Sequence, residues 1–366
     1  MSGTRQSPVF SKLYRGLNAA QKQAVDTLDG PVMVVAGPGT GKTQILTLRI
    51  AHILRETDTP PDAILALTFT ESGVTAMRKR LVRIIGSEAY RVGIFTFHGF
   101  CNEIIRRYPE DFGRIIGAEP TTDIEKIDIL RSIIEGHTFE HLKPFGDTFY
   151  YVNDLRQAIS ELKRENVTPD KLRTSLSAAR RSFEATEGLY HERGAHQGKM
   201  KGIHEVAAKR LARTEELLVV YEAYQEALRA KRLYDFDDMI VEAVSALETN
   251  PALLLRVQEE YHYLLADEHQ DANTAQNRLL ELLASFHERP NIFVVGDEKQ
   301  AIFRFQGASL DNFFYFKKLY PEASLIALTE GYRSGQKILD ASHSMIQKDG
   351  VEGRIPLVSR AGVSHD

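Results

Sequence analysis

Ala36-Gly37-Pro38-Gly39-Thr40-Gly41-Lys42-Thr43 sets three glycines, one lysine and two hydroxyl side chains within eight residues. Glycines let backbone N–H groups close around phosphate oxygens. Lys42 is spaced to reach the β/γ oxygens of a triphosphate, and the Thr43 hydroxyl to ligate Mg²⁺. The apolar run Pro31-Val32-Met33-Val34-Val35 precedes the loop and a helix-like stretch follows it. A helix starting there adds its positive N-terminal end to the same site. A nucleoside triphosphate with Mg²⁺ is the expected ligand. Ala36 stands where the strictest form of this pattern has its first glycine, which leaves the four cradling positions intact. The competing reading is a glycine-rich turn with no ligand.

A second cluster lies far along the chain, where Tyr263-Leu264-Leu265-Ala266 delivers Asp267 and Glu268 to the end of an expected strand. Adjacent acids there have separable tasks. Asp267 can hold the hydration shell of Mg²⁺, and Glu268 can orient and deprotonate the water that attacks the γ-phosphate. Both could instead cap a helix over Thr274 to Leu283.

Short β-branched runs supply the strands that must hold these loops: Val32 to Val35, Ile64 to Phe69, Val92 to Thr96, Tyr263 to Ala266 and Ile292 to Val295. Such runs read as buried parallel strands, and their alternation with longer helical patterns predicts an α/β architecture. Between about Asp111 and Arg232 the sequence turns charged and helix-periodic, which predicts a helical insertion. From Lys171 to Arg210 it carries nine Lys/Arg against four Glu, an excess of five positive charges. A solvated helix face and a phosphate contact to nucleic acid both fit that excess. The glycine-containing stretch from Glu187 to Gly202 reads as a mobile loop.

The 366 residues have room for about two domains and a sizeable core. An apolar content of 43%, a charged content of 26% and no run near the ~20 apolar residues of a membrane span describe a globular, non-membrane chain. With no apolar signal core at the N-terminus and Cys101 as the single cysteine, a cytoplasmic location is expected. The net charge of −4 decides nothing about nucleic acid, since a basic groove can exist on an acidic protein. His191, His196 and His204 lack accompanying cysteine or acidic ligand spacing, so no structural metal is assigned.

Eight ordered blocks from about Leu17 to Leu339 resemble the UvrD/Rep/PcrA-like branch of superfamily 1A DNA helicases. Leu17 to Val25 is similar to the adenine-reading Q motif, with Gln21 as the reading amide; the phosphate loop is motif I. Leu67 to Met77 resembles motif Ia, Phe95 to Phe100 the Thr-Phe-His block, and Asp235 to Ile240 the return from an inserted 1B domain. Asp267 to Asn273 resembles motif II, Val295 to Ala308 motif III, and Gly331 to Ser334 motif IV. The resemblance implies a RecA-like nucleotide-binding sheet and 3′-to-5′ movement on single-stranded DNA or at duplex junctions, driven by ATP hydrolysis with Mg²⁺. It implies domain 1A over 1–111 and 233–322, the helical 1B over 112–232, and the start of a second RecA-like domain, 2A, over 323–366.

In that frame Gln300 senses the γ-phosphate, Tyr332 stacks on adenine, and Arg333 reaches the γ-phosphate. Thr68, Phe69, Thr96, His98, Phe303 and Phe305 contact DNA, the last two on alternate positions suited to base stacking. Core packing is the ordinary role for Phe69, Phe97, Phe303 and Phe305, and a buried hydrogen-bonded histidine for His98. Departures include Phe305-Gln306 in place of the family's Trp-Arg, Gln44 in place of an arginine, and Gly331 in place of an asparagine. About 40 residues follow Ala323, too few to build domain 2A, so the chain reads as the ATP-binding half. A non-catalytic ATP- and DNA-binding module is the alternative, and a phosphate-loop ATPase acting on protein a third.

Overall fold

The computed structural model describes residues 8–191, 198–297, 310–347 and 356–362. It divides into two compact units, Met1–Asp111 with Glu242–Asp366, and Phe112–Val241. In chain order, α1 (Pro8–Arg15), α2 (Ala19–Asp26), β1 (Val32–Ala36), α3 (Lys42–Glu56), β2 (Ile64–Thr68), α4 (Glu71–Ile85), β3 (Gly93–Thr96) and α5 (Phe97–Arg107) open the first unit. The second holds β4 (Glu119–Pro120), α6 (Asp123–Gly136), α7 (Val152–Arg164), α8 (Pro169–Glu184), α9 (Gly202–Ala230) and β5 (Leu233–Tyr234). The chain continues through α10 (Phe236–Thr249), α11 (Pro251–Glu260), β6 (Tyr263–Ala266), α12 (Thr274–Ala284) and β7 (Ile292–Gly296). It closes with α13 (Leu310–Leu319), β8 (Ser324–Leu328), β9 (Glu330–Gly331), α14 (Gln336–Gln347) and β10 (Val358–Ser359).

Six strands form one parallel sheet in the order β3-β2-β6-β7-β1-β8. The four inner strands are buried almost throughout, as expected of a parallel sheet covered on both faces, whereas the edge strands β3 and β8 include half-exposed positions. Alternate residues such as Val32, Val34, Ile64, Ala66, Phe293 and Val295 join Ala24, Leu46, Ile50, Met77 and Leu81 of α2 to α4 in one core. Complete burial of each large aliphatic there contributes about 1.5–3 kcal/mol. Arg49 of α3 is buried in this layer, donates to the carbonyls of Ala24 and Leu28 and lies 4.5 Å over the Phe293 ring, so it ties α2 to the sheet. Burial lowers its pKa to about 9.

Because all six strands run the same way, their carboxyl ends share one edge. That edge is where open α/β sheets bind ligands. The loops after β1, β2, β3 and β6 emerge there, and β7 ends there at Gly296.

The second unit is helical, with Leu130 and Ile133 of α6, Leu155 and Ile159 of α7, Leu172 and Leu176 of α8, and Val220 and Leu228 of α9 in its core. Lys163, fully buried, faces Asp235 and also Asp238 at 2.8 Å, and Arg114 approaches Asp238 at 3.5 Å. Asp235 and Asp238 also exchange backbone-to-carboxylate bonds of 3.0 Å each at the start of α10. These contacts carry the unit to Val241, beyond the sequence boundary at 232/233. The boundary at 322/323 likewise falls just before β8, which pairs with β1 along Val32 to Ala36 and belongs to the main sheet. Among the described residues no helix is long and apolar enough to cross a membrane.

Candidate functional site

The phosphate loop turns between β1 and α3 on two left-handed glycines, Gly39 at φ 76° and Gly41 at φ 93°. Gly41 is the N-cap of α3, and Lys42 and Thr43 form its first turn, whose N–H groups have no intrahelical acceptor. Thr40, buried, pins the loop through its hydroxyl to the Gly37 carbonyl at 2.8 Å. A Cβ on Gly39 would sit 2.7 Å from the Arg333 Cβ, and one on Gly37 2.5 Å from a Leu357 methyl. At Gly39 glycine is therefore required by the neighbour as well as by the turn, whereas at Gly37 a leucine methyl would have to move.

This loop forms one wall of a cleft of about 570 Å³, large enough for a nucleotide. Gln21, Pro38, Gly39, Gly41, Lys42 and Thr43 line it together with Glu268, Tyr332 and Arg333. Lys42, its side chain only 11% exposed, places Nζ 3.0 Å from Glu268 Oε2. Tyr332 is brought to the loop by its own backbone, its N–H donating to the Gly39 carbonyl at 2.9 Å. Gln21 is the N3 residue of a capping box with Asn18: its side-chain oxygen accepts from Asn18 N at 3.1 Å, and its amide donates to the Thr40 carbonyl at 2.9 Å. Ala36 ends β1 beneath the loop.

Asp267 leaves β6 buried, its N–H donating to the Leu67 carbonyl. Burial, and next the neighbouring Glu268 carboxylate, raise its pKa to about 7. A divalent cation would supply the positive charge such a buried acid lacks. Glu268 is one of three non-glycine residues with positive φ, 49°, among those described. That left-handed turn aims its carboxylate at Lys42, while Gln270 Nε2 donates to Glu268 Oε2 at 2.9 Å. The helix-cap alternative fails because Asn273 and Gln276 form the capping box of α12.

Two further residues enter the site that the motif reading passed over. Arg80, on α4, lines the cleft. Gln270 also accepts from Asp297 N at 2.8 Å, joining the loop after β6 to the end of β7. The Asp-Glu-x-Gln spacing was the available sign for Gln270; Arg80 had only its place three residues after Met77 in the motif Ia helix.

The residues expected to touch DNA lie at the same sheet edge but on the far side of β6 and β7 from β1. Thr68 and Thr96 end β2 and β3 as register partners. Both are buried; the Thr96 hydroxyl donates to Glu71 and accepts from Gly99 N, capping α5. Phe69 and His98 are half-buried beside them, and Phe97 is buried in the core. Gln300, Phe303 and Phe305 lie outside the described residues. In the basic stretch of the helical unit, Arg173 pairs with Asp170 and Glu222, and Arg180 with Glu215, so part of the positive excess is neutralised within that unit.

Residues 17–321 match the family described as UvrD/REP helicase N-terminal domain. Among curated relatives, the ATP-dependent DNA helicase PcrA of Staphylococcus aureus is 33% identical over 343 residues, covering 93% of this chain and 41% of that protein. PcrA of Staphylococcus epidermidis is likewise 33% identical, over 92% of this chain and 41% of the relative. The chain thus spans about two fifths of the length of these relatives.

Proposed function

The chain belongs to the UvrD/REP helicase N-terminal domain family, and from that premise we propose that it is the ATP-binding half of an ATP-dependent DNA helicase. The carrying observation is the single cleft that gathers Gln21, Lys42, Thr43, Glu268, Tyr332 and Arg333. Gln21 and Tyr332 take the adenine end. The loop N–H groups and Lys42 take the phosphates, with Arg333 and Arg80 facing the γ-phosphate and Gln300 assigned to the same task by its motif. Thr43 and Asp267 hold Mg²⁺, which supplies charge to the phosphate oxygens when bound. Glu268, paired with Lys42 across the cleft, orients the attacking water and accepts its proton.

In this reading Met1–Asp111 and Glu242–Leu328 make up domain 1A, Phe112–Val241 is domain 1B, and domain 2A begins after β8. Phe69, Thr68, Thr96 and His98 contact single-stranded DNA directly or through the loops they cap. A second RecA-like domain, in cis or from a partner, supplies the opposing arginine, a contact worth about 10³–10⁵ in rate in phosphate-loop enzymes. Steady-state ATP turnover with and without single-stranded DNA tests this. The chain alone is expected to bind MgATP and turn it over slowly, and a longer chain carrying the second domain to be stimulated by DNA. Equal, DNA-independent turnover in both would refute the reading.

A further inference from the structure

A closed set of polar contacts surrounds the Tyr332 hydroxyl. It donates to Glu330 Oε2 at 2.9 Å, and Asn18 Nδ2 donates to both the Tyr332 oxygen and Glu330 Oε2 at 3.0 Å. Arg360 holds the other carboxylate oxygen, Oε1, through Nε at 3.2 Å and an Nη at 2.8 Å. Asn18 reaches the other way as well, its Oδ1 accepting from Gln21 N at 2.8 Å. One carboxylate therefore ties the Gln21 turn to the Tyr332 ring.

Resting on the reading that Gln21 and Tyr332 face the nucleobase, we propose that Glu330, clamped by Arg360, is a positioning residue that makes recognition of the base, as distinct from the phosphates, possible. Tyr332 is fixed at its backbone end by the bond to Gly39 and at its hydroxyl end by Glu330. A ring held at both ends loses little freedom when a base stacks on it, so less binding energy goes to ordering it. Glu330 suits the task because an ionised carboxylate is an acceptor only, with room for the three donors that converge on it. The Arg360 hydrogen bond, and next those from Asn18 and Tyr332, hold its pKa below the usual carboxylate range.

The clamp is delivered by backbone pairing. β10 lies parallel to β9, with Val358 N donating to the Thr329 carbonyl at 2.8 Å and Arg360 N to that of Gly331 at 2.7 Å. Leu357, next in the same segment, packs against Gly37 of the phosphate loop. Neither Glu330 nor Arg360 lines the nucleotide cleft; both line a neighbouring pocket that shares Gly16 and Tyr332 with it.

Calorimetry of the chain with MgATP and with magnesium tripolyphosphate, which lacks a base, separates positioning from general support. Glu330→Ala is expected to weaken ATP about tenfold, the scale of losing hydrogen bonds to a charged acceptor, and to leave tripolyphosphate within about twofold. Tyr332→Phe, which removes only the hydroxyl, should show the same base-selective loss, and Glu330→Gln, which keeps an acceptor for Tyr332 but turns a donor amide toward Arg360, should fall between Glu330→Ala and the wild type. Unchanged ATP affinity in both Glu330→Ala and Tyr332→Phe, or equal weakening of ATP and tripolyphosphate, would overturn the proposal while leaving the base site in place. Wild-type binding of ATP no tighter than tripolyphosphate would instead remove the base site, and the proposal with it.

Discussion

Replacing Glu268 with glutamine keeps the side chain's shape and removes a negative charge 3.0 Å from Lys42 Nζ. At an effective dielectric of about 20, that distance corresponds to roughly 5 kcal/mol of attraction before solvation is counted. Lys42 is 11% exposed and Glu268 36%, so water screens one end of the pair and about 1 kcal/mol survives as net interaction. In the glutamine variant that energy no longer has to be given up when a triphosphate takes Lys42. The dissociation constant for MgATP should fall about fivefold. Turnover should fall by a factor of about 100 or more, because the amide cannot accept the water's proton. Calorimetry gives the first quantity and phosphate release the second, both on the same preparation. Weaker ATP binding in Glu268→Gln would show that the carboxylate assists the nucleotide instead of competing with it. Turnover within threefold of wild type would remove Glu268 from the chemistry.

Lys163→Met leaves Asp235 and Asp238 buried without their main partner, and should lower stability by about 3–5 kcal/mol in urea unfolding; an unchanged midpoint would contradict a structural role for this cluster. Gly39→Ala must accept φ 76° and a 2.7 Å approach to the Arg333 Cβ, so it should abolish MgATP binding, and calorimetry showing wild-type affinity would contradict the loop geometry. Cys101 is fully buried, and burial raises its thiol pKa far above the usual range. Iodoacetamide should label it only as fast as the chain unfolds, whereas prompt labelling of the native protein would place α5 wrongly.

Five strands were legible in the sequence and all appear: β1, β2, β6 and β7 because burial on both faces forces continuous apolar runs, and the edge strand β3 through the β-branched and aromatic residues of Val92 to Thr96. β8 escaped notice for the complementary reason. It is an edge strand with Leu325 58% exposed, and its partner β1 lies almost the whole chain away. The helical character of residues 112–232 was equally plain, but its end was not. Asp235 stays with that unit through Lys163, 72 residues earlier, a contact that no local composition reports.

The site shows the same division. Lys42, Thr43, Asp267 and Glu268 could be singled out because each lies within a few residues of a strand end whose loop reaches the same sheet edge. Gln270 and Glu330 meet partners brought by other strands, and Arg80 reaches the cleft from α4, so their placement became visible only with the sheet assembled. The hydroxyls of Thr68 and Thr96 carry a different lesson. Both side chains are buried, and the Thr96 hydroxyl caps α5, so a motif position can also shape the loop beside a ligand.

The most direct measurement is an equilibrium titration of the 366-residue chain with MgATP by calorimetry, run in parallel on Lys42→Ala. One site per chain, lost in Lys42→Ala without a change in thermal midpoint, is the predicted result, since Lys42 supplies charge to the cleft and nothing to the core. Absence of binding, or binding that survives Lys42→Ala undiminished, would contradict the assignment of this cleft to a nucleoside triphosphate.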